Sequence, residues 1–384
     1  MILYILIAFF VFIGVVLYDF NNYKKGKTKF FYICFVLFWL YSGLRYRVGT
    51  DSFMYESMFD YIPQIGELKS SDFLALYQIE PLWIIFNSLI KTLWNDFVAL
   101  ELVCSFLLNY AFFDFVKKNT SYIFTAIFVY FLLDYLILNC EFIRQSTAVA
   151  LYMIFALPLY EKHRYFLWFV VTFTLCFMHN TMFFCLLIPL MNAVDFSKKK
   201  TAIIFLFGIV LILNIDMMNF LMNFFSYFLS TTYKISAYSS DAHITVYNFN
   251  LIISKLYSIV LLVFLLSIKV NFKYKKLIIL YCFSIALSFV NGIFARLQYV
   301  LFCYYLLLYS DCLVETIKQK KKIMKSLVIF VAIFTPTFTT LNHKYDTGLY
   351  NYQKYFPYYS YLNPQKDKNR ESLKEYDDYS RMWE

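Results

Sequence analysis

Apolar runs of nearly twenty residues recur along almost the whole chain, and short polar connections separate them. Such a run is long enough for a helix to cross a hydrocarbon core about 30 Å thick. The pattern predicts an all-α polytopic integral membrane protein with about twelve transmembrane helices, in a range of about 11 to 14. The predicted spans lie near residues 1–19, 30–44, 97–116, 121–139, 142–160, 166–178, 181–195, 201–215, 251–268, 277–294, 297–314 and 323–341.

The composition excludes an ordinary soluble domain. Hydrophobic residues make up 61% of the chain and charged residues 16%, against about 45–50% and about 25% in soluble domains. The net charge of +10 does not indicate nucleic-acid binding, because the lysines lie where membrane topology places them. The eight cysteines lie in or beside apolar runs without a C-x-x-C pair, so we expect buried thiols rather than disulfides or metal ligands.

The lysines indicate the orientation of the chain. Clusters that hold more than half of the 35 basic residues occupy every second connection. These clusters lie around residues 24–29, 117–118, 162–164, 198–200, 269–276 and 318–325. By the positive-inside rule, these six connections are cytoplasmic and the connections between them face outward.

One apolar stretch breaks this alternation. Counting Pro81 to Trp94 as a full span would place Lys117 and Lys118 outside, and the stretch is short for a span, so we predict a re-entrant or interfacial helix. The chain then forms a single transmembrane domain over 1–341. Its other predicted parts are outer loops near 45–80 and 216–250, an outer aromatic segment over 342–364, and a charged tail over 365–384 whose composition predicts disorder.

The arginines have the opposite distribution. Only seven basic residues are arginines, and four of them, Arg45, Arg47, Arg144 and Arg296, fall at outer helix ends. Arginine makes planar, multidentate contacts with phosphate, which favours an anionic headgroup or pyrophosphate at that face. The alternative is that each arginine snorkels or pairs with a nearby carboxylate such as Glu141.

The densest polar run extends from Arg45 to Asp51, directly before a segment with helical spacing. Gly49 permits a tight turn, and the N–H groups of the helix start would bind a phosphate beside the two arginines. Asp51 is equally a candidate for the helix cap and for a catalytic carboxylate.

Three further residues at the outer side are candidates for chemistry. Arg144 begins a span, where a helix N-terminus favours anions; the alternative is a salt bridge to Glu141. His179 is the side chain best suited to act as a base near neutral pH, although a histidine between apolar segments is more often structural. Glu80, before Pro81, is either a second catalytic carboxylate or an ordinary helix-start residue.

Several of these residues occur in an order that resembles the EpsG family of Wzy-type polysaccharide polymerases. The segments that carry the resemblance are Gly43 to Asp51 with Tyr55 and Phe59, Glu80-Pro81, Ile143-Arg144-Gln145, Met178-His179, Ala295-Arg296 with Tyr299, and Pro357-Tyr358. The chain departs from the family at Ser52, where an aromatic residue is common, and at Asn180-Thr181, where a Tyr-Ser pair commonly follows the histidine.

The resemblance implies an integral membrane glycosyltransferase of the broad GT-C type at the outer face of the bacterial inner membrane. Such enzymes build O-antigen, capsule or exopolysaccharide by moving a glycan from its polyprenyl-pyrophosphate carrier onto another lipid-linked repeat unit. The expected partners are those lipid-linked units, membrane lipid and a chain-length regulator, and no nucleic acid. No cofactor is expected, neither nucleotide nor metal, because the donor is already activated.

The resemblance and the local chemistry together assign roles. The residues expected to stabilise the developing pyrophosphate charge are Arg45, Arg47, Arg144 and Arg296. The residues expected to accept the proton of the acceptor hydroxyl are His179 or, failing it, Asp51 or Glu80. The candidates for glycan contact are Tyr55, Gln145, Tyr358 and Tyr359, and interfacial packing explains the tyrosines equally well.

Two other classes of function compete with a polymerase. A flippase for lipid-linked oligosaccharide would need access from both sides and commonly has internal repeats, which this sequence lacks. An outer-face ligase or acyltransferase would share the site and differ only in its acceptor. The chain contains no D-x-D and no H-E-x-x-H pattern, which argues against a metal-dependent nucleotide-sugar enzyme and against a zinc protease.

Overall fold

The structure is a computed structural model that describes residues 1–76, 79–189, 249–269, 272–288, 293–318, 329–331, 333–335, 338, 341–344 and 348–372. Within these ranges the regular structure is helical, and extended residues form only isolated bridges. The chain divides into two compact units, Met1–Leu186 with Tyr309–Asp377, and Leu187–Leu308 with Asp378–Glu384. This division falls inside the single domain predicted over 1–341.

The helices are numbered in chain order. Those that begin in the first unit are α1 (Ile2–Phe20), α2 (Lys27–Gly43), α3 (Asp51–Tyr61), α4 (Ser70–Ala75), α5 (Pro81–Leu93), α6 (Phe97–Asn119), α7 (Ile123–Leu133), α8 (Ile143–Leu151), α9 (Leu157–Glu161), α10 (Tyr165–Cys176) and a 3-10 helix at Asn180–Leu187. The later ones are α11 (Phe249–Ile268), α12 (Lys275–Leu287), α13 (Ile293–Val300) and α14 (Phe302–Lys318). Single π-helical turns at Val15–Phe20, Ile137–Glu141 and Tyr152–Ala156 interrupt or extend the α-helices.

Antiparallel packing of α2 against α6 gives the first unit two distinct ends. At one end, the indole Nε1 of Trp39 donates to the carbonyl of Leu102 at 2.9 Å. Near the other end, the Nζ of Lys117 lies 5.8 Å from the ring centroid of Phe31. The loop after α2, which carries Arg45 and Arg47, therefore lies opposite Lys117.

The pair α1 and α7 is antiparallel in the same way. The hydroxyl of Tyr4 donates to the carbonyl of Phe131 at 2.7 Å near one end. Near the other end, the carboxylate of Asp19 accepts from the N–H and the hydroxyl of Thr125 at 2.7 Å and 2.9 Å. A residue of α1 thus satisfies N–H groups that the start of α7 would otherwise leave without acceptors.

We call the two ends of the first unit the lysine end and the arginine end. The connections at the lysine end are residues 21–29, 119–122 and 162–164. The segments at the arginine end are residues 44–50, 80–82, 141–144 and 177–181. The start of α8 and the end of α10 belong to the arginine end because Arg144 pairs with Glu80, and the Leu82 N–H donates to the Phe177 carbonyl at 2.9 Å. In this unit, Arg45, Arg47 and Arg144 lie at the end opposite the lysine connections. The sequence predicts this separation.

The stretch predicted as a re-entrant or interfacial helix, Pro81 to Trp94, forms the short helix α5. Its 13 residues span about 20 Å, too little to cross a core of about 30 Å. Trp83 is fully buried on one face of α5. Lys91, in its last turn, donates from Nζ to the carbonyls of Phe59, Asp60 and Ile62 at 2.8–2.9 Å. Lys91 therefore caps the C-terminus of α3.

Two helices of the described residues, Ile2–Phe20 and Phe97–Asn119, are long and apolar enough to cross a membrane by themselves. A bent pair, Phe294–Val300 with Phe302–Lys318, makes a third candidate. Several predicted spans are divided: 142–160, for example, consists of α8, a π-helical turn and α9. The predicted span 201–215 and the loop near 216–250, apart from the first two residues of α11, lie outside the described residues. The number of about twelve spans and the GT-C-like architecture stay predictions.

The second unit packs α11 against α12 and α12 against the start of α14. The Nζ of Lys255 donates to the carbonyl of Ser288 at 3.0 Å. The rings of Tyr281 and Tyr305 lie 4.6 Å apart between their centroids. The bend between α13 and α14 is 61°. Arg296 lies on α13 in this unit and is half-buried.

Candidate functional site

Arg45 is buried in an ion pair. Its Nη2 lies 2.9 Å from Oε1 of Glu101 in α6, and the two side chains are 1% and 0% exposed. Its Nη1 donates to the carbonyl of Ser42, and the hydroxyl of Ser52 donates to the same Glu101 oxygen at 3.3 Å. Burial lowers the pKa of Arg45, but the Glu101 carboxylate raises it, and the net pKa lies above the ordinary value. The pair therefore joins α2, α3 and α6 and is closed to solvent.

The start of α3 holds an anion, and that anion is a carboxylate of the chain. Oε1 of Glu141 accepts from the Thr50 N–H at 3.2 Å. Oε2 accepts from the Thr50 hydroxyl at 3.1 Å and from the Asp51 N–H at 3.2 Å. A helix N-terminus favours a negative charge in this position. The N–H groups that the sequence assigns to a phosphate are thus bonded to Glu141, and Asp51 occupies the first helical turn beside it.

We expect Glu141→Gln to destabilise the protein by about 1–2 kcal/mol, because the amide removes the negative charge at the helix start and presents an N–H₂ to donors. The measurement is the free energy of unfolding in mixed micelles with SDS. Glu67→Gln is the control, because Glu67 is exposed in the connection before α4. Equal small effects of both substitutions would contradict the assigned role of Glu141.

Arg47 has a strained backbone and a half-exposed side chain. Its φ angle is +51°, in the left-handed region that residues with a Cβ rarely adopt. Its Nε donates to Oε2 of Glu56 at 2.9 Å, and its side chain is 27% exposed. The guanidinium carbon lies 5.5 Å and 5.3 Å from the ring centroids of Tyr46 and Phe53. Arg47 is therefore the cation of this loop with a path to solvent.

Arg144 and Glu80 form a further ion pair, in which the arginine is partly exposed and the glutamate is buried. Nη1 of Arg144, in the first turn of α8, lies 2.7 Å from Oε2 of Glu80, and the Arg144 side chain is 17% exposed. The Nε of Arg144 is buried and donates to no acceptor among the described residues. The predicted alternative partner of Arg144, Glu141, is occupied at the start of α3 instead.

A backbone hydrogen bond brings the segment of His179 close to the Arg144–Glu80 pair. The Leu82 N–H, two residues after Glu80, donates to the Phe177 carbonyl, two residues before His179. The Nδ1 of His179 accepts from the Thr181 N–H at 3.2 Å and lies 2.8 Å from the Thr181 hydroxyl oxygen. Because Nδ1 accepts, the neutral imidazole carries its proton on Nε2. This geometry favours Nε2 as a hydrogen-bond donor, and the role of His179 as a base stays a prediction.

The four candidates for glycan contact have different environments. Tyr55 is buried with its ring edge on Trp83, at 6.1 Å between centroids, and Gln145 is also buried. Tyr358 stacks on Tyr41 at 4.4 Å and donates its hydroxyl to the Tyr41 carbonyl at 2.7 Å. Tyr358 and Tyr359 are both half-buried, but the ring of Tyr358 is stacked on Tyr41. Of the four candidates, Tyr359 is therefore the one best placed to contact a ligand.

Residues 350–372, which we call the C-terminal segment, cover the loop of residues 44–50. The Tyr46 N–H donates to the Tyr359 carbonyl at 2.9 Å, and the Tyr361 N–H donates to the Leu44 carbonyl at 3.0 Å. The Gly49 N–H donates to the Lys354 carbonyl at 2.9 Å. The backbone of the segment is thus hydrogen-bonded to the loop that carries Arg45 and Arg47.

The first part of the tail, residues 365–372, belongs to the described residues, and residues 373–384 lie outside them. Arg370, in this first part, is buried with hydrogen bonds to two carbonyls. Composition does not predict this contact, because it reports the average polarity of a segment. The disorder predicted over 365–384 stays a prediction.

Sequence reasoning missed Glu56, Glu101 and Arg370 as members of the site. Glu56 stands nine residues after Arg47, and Glu101 lies in an apolar helix, where an intramembrane carboxylate is itself a signal for a paired cation. No group of three or more His, Cys, Asp or Glu side chains suited to a metal ion occurs in the described ranges. Three arginines of the arginine end, Arg45, Arg47 and Arg144, are held by carboxylates.

A family model for the EpsG family matches residues 28–360. The chain belongs to the EpsG family. The match covers the loop of Arg45 and Arg47, the Arg144–Glu80 pair, His179 and Arg296. No curated protein and no solved structure shows a significant match to the chain. Membership of the EpsG family, together with the apolar helices, supports a membrane protein with a polysaccharide polymerase-type function.

Proposed function

We propose that this EpsG-family protein is a membrane glycosyltransferase that transfers a polyprenyl-pyrophosphate-linked glycan onto another lipid-linked repeat unit at its arginine end. The observation that carries the proposal is the Arg144–Glu80 pair, whose guanidinium is partly exposed and which is adjacent to the His179 segment. The positive-inside rule supports a cytoplasmic lysine end, and the proposed position of the arginine end is therefore the outer face of the inner membrane.

The Arg144–Glu80 pair suits the two charges that this reaction must handle. The bond from the anomeric carbon to the pyrophosphate oxygen breaks, a bond to the acceptor oxygen forms, and the acceptor loses its proton. A pyrophosphate that binds the Arg144 guanidinium stabilises the leaving charge and releases Glu80 from its partner. The carboxylate of Glu80 then accepts the proton of the acceptor hydroxyl.

The remaining candidates support these two residues. Arg47, at the edge of the same end, is a second contact for the pyrophosphate. His179 donates from Nε2 to a phosphate oxygen, and Asp51 is the alternative base to Glu80. Arg45 is a positioning residue, because its guanidinium is closed to solvent on Glu101. Arg296 remains a proposed pyrophosphate contact, and Tyr359 a proposed contact for the glycan.

This chemistry requires no nucleotide and no metal, because the donor carries its own leaving group and arginines supply the positive charge. The lipid-linked repeat units are the proposed substrates, with membrane lipid around the apolar helices. A chain-length regulator is the proposed protein partner. O-antigen, capsule or exopolysaccharide is the proposed product class.

The test is polymerisation by purified protein with lipid-pyrophosphate-linked repeat units and no added nucleotide or metal. We expect Arg144→Ala to lower the rate about 10²–10³-fold, the effect of removing one donor that stabilises a developing oxyanion. His179→Ala should lower it less. Arg164→Ala is the matched control, because Arg164 is an exposed arginine at the lysine end.

The outcomes separate the competing functions. Native activity in Arg144→Ala would refute the assigned site. Movement of lipid-linked substrate across a vesicle membrane without polymer would replace the polymerase with a flippase. Transfer of the glycan to a different acceptor would indicate a ligase.

A further inference from the structure

Arg370 is a buried cation whose side-chain hydrogen bonds go to carbonyls. It is 1% exposed. Its Nη1 donates to the Arg47 carbonyl at 2.7 Å and its Nη2 to the Pro357 carbonyl at 2.6 Å. Among the described residues, Arg45, Arg47 and Arg144 each have a glutamate partner, whereas no carboxylate forms an ion pair with Arg370. Asp367 accepts from the backbone N–H of Arg370 at 3.1 Å, and its charge acts on the guanidinium from beyond ion-pair distance. Because burying a charge is costly, the two hydrogen bonds to carbonyls offset part of that cost.

One of those two carbonyls belongs to the strained residue Arg47. A left-handed backbone at a residue with a Cβ persists only where the surrounding structure fixes it by several contacts. The N–H groups of Tyr46 and Gly49, on either side, donate to carbonyls of the C-terminal segment at 2.9 Å, and Arg370 binds the Arg47 carbonyl itself. The conformation of Arg47 therefore depends on a segment more than 300 residues away along the chain.

We propose that Arg370 is a positioning residue of the polymerase, whose guanidinium fastens the C-terminal segment to the Arg47 carbonyl and so directs the Arg47 side chain toward the substrate pyrophosphate. This inference rests on the proposed function. Arg370 lies beyond residue 360, where the family match ends, so the match does not account for it. Without Arg370, the peptide after Arg47 loses the donor that holds its carbonyl, and the loop relaxes to an ordinary backbone conformation.

The fork of arginine is specific to this role. Two separate nitrogens of the planar guanidinium donate to two carbonyls, whereas the ammonium of lysine is a compact point charge on a flexible stem. The ring of Tyr359 lies 5.9 Å from the guanidinium carbon of Arg370 and covers it on one side. Arg370 thus joins three parts of the arginine end, namely the Arg47 loop, the Pro357 turn and Tyr359.

The first experiment measures attachment of the C-terminal segment independently of activity. Trypsin cleavage after Lys354 requires release of a carbonyl that the Gly49 N–H holds in the native protein. We expect Arg370→Ala to accelerate this cleavage by about tenfold or more and Arg370→Lys to accelerate it less. Lys366→Ala, a substitution of an exposed residue of the same segment, should leave the cleavage rate unchanged.

The second experiment is a double-mutant cycle on polymerisation. We expect Arg370→Ala to lower kcat about tenfold in the native background and to have no further effect in an Arg47→Ala background, because Arg370 acts through Arg47. A merely structural role would lower kcat by the same factor in both backgrounds, which would overturn the proposal. Unchanged cleavage after Lys354 in Arg370→Ala would overturn it as well.

The two experiments distinguish failure of this inference from failure of the proposed function. If the native protein forms no polymer, the proposed function fails, and the trypsin result alone decides whether Arg370 fastens the segment. If Arg370→Ala releases the segment but keeps native kcat, the polymerase stands and the positioning role of Arg370 is wrong.

Discussion

Glu101→Gln is expected to destabilise the protein by about 3–5 kcal/mol, the cost of leaving a buried charge without its partner. Glu101 is the counterion of Arg45, and both side chains are closed to solvent. The substitution keeps the shape of the side chain and removes its charge, so the buried Arg45 guanidinium would keep neutral oxygen acceptors, such as the Ser42 carbonyl, but no counterion. Arg45→Met should cost a similar amount, because it leaves the Glu101 carboxylate without its cation. The free energy of unfolding in mixed micelles with SDS measures both effects.

The double variant Arg45→Met with Glu101→Gln decides whether charge is the cause. Its loss of stability should be smaller than that of either single variant, because no uncompensated charge remains. The surface pair Lys118–Asp114 is the matched control: its side chains are 63% and 37% exposed, and Asp114→Asn should change stability by less than about 0.5 kcal/mol. Additive losses in the double variant would show that packing, and not the ion pair, is the dominant effect.

The sequence is enough to predict that several candidate residues of this site lie at the same end of the helices. Lysines and arginines alternate between opposite connections, and apolar helices that pack antiparallel carry those connections to opposite ends. The structure places Arg45, Arg47, Arg144 and His179 at one end of the first unit for this reason. Arg296 lies in the second unit, on α13, and its predicted convergence with the others stays a prediction.

The partners of the arginines were not accessible in the same way. Spacing suggested Glu141 for Arg144, because residues three apart are neighbours on a helix. Glu141 instead belongs to a π-helical turn before α8, and its carboxylate bonds to N–H groups at the start of α3. Which donor a carboxylate meets depends on how separate helices pack, and local spacing carries no such information.

The carboxylates explain how this end of the protein remains stable before substrate binds. Glu101, Glu56 and Glu80 each neutralise one arginine, and Glu141 neutralises a helix start. The buried contacts of Glu101 and Glu141 fix the loop and α3. The side chains of Arg47 and Arg144 are partly exposed, so the pyrophosphate of the proposed substrate would be able to compete with their carboxylates. Graded burial thus separates the cations that hold the structure from the cations proposed to bind substrate.

Gly49→Ala is expected to combine a large loss of stability with loss of activity. Gly49 has a φ angle of +92°, and a Cβ added there would lie 2.6 Å from the carbonyl oxygen of Cys140. The unfavourable backbone conformation costs about 1–2 kcal/mol and the overlap about 1–3 kcal/mol more. The obstructing atom belongs to the backbone directly before Glu141, so relief of the overlap would move the carboxylate that binds the start of α3.

Two other glycines separate these contributions to the Gly49 effect. Gly348 also has a positive φ, +81°, but a Cβ there meets nothing within 4 Å, so Gly348→Ala measures the backbone cost alone. Gly66 has neither a positive φ nor a neighbour within 4 Å, and Gly66→Ala should be neutral or slightly stabilising. We expect the free energy of unfolding to decrease in the order Gly66→Ala, Gly348→Ala, Gly49→Ala. Polymerisation should be lost only in Gly49→Ala. If Gly49→Ala is no worse than Gly348→Ala, the contact with Cys140 does not constrain the site, and the loop can move without displacing Glu141.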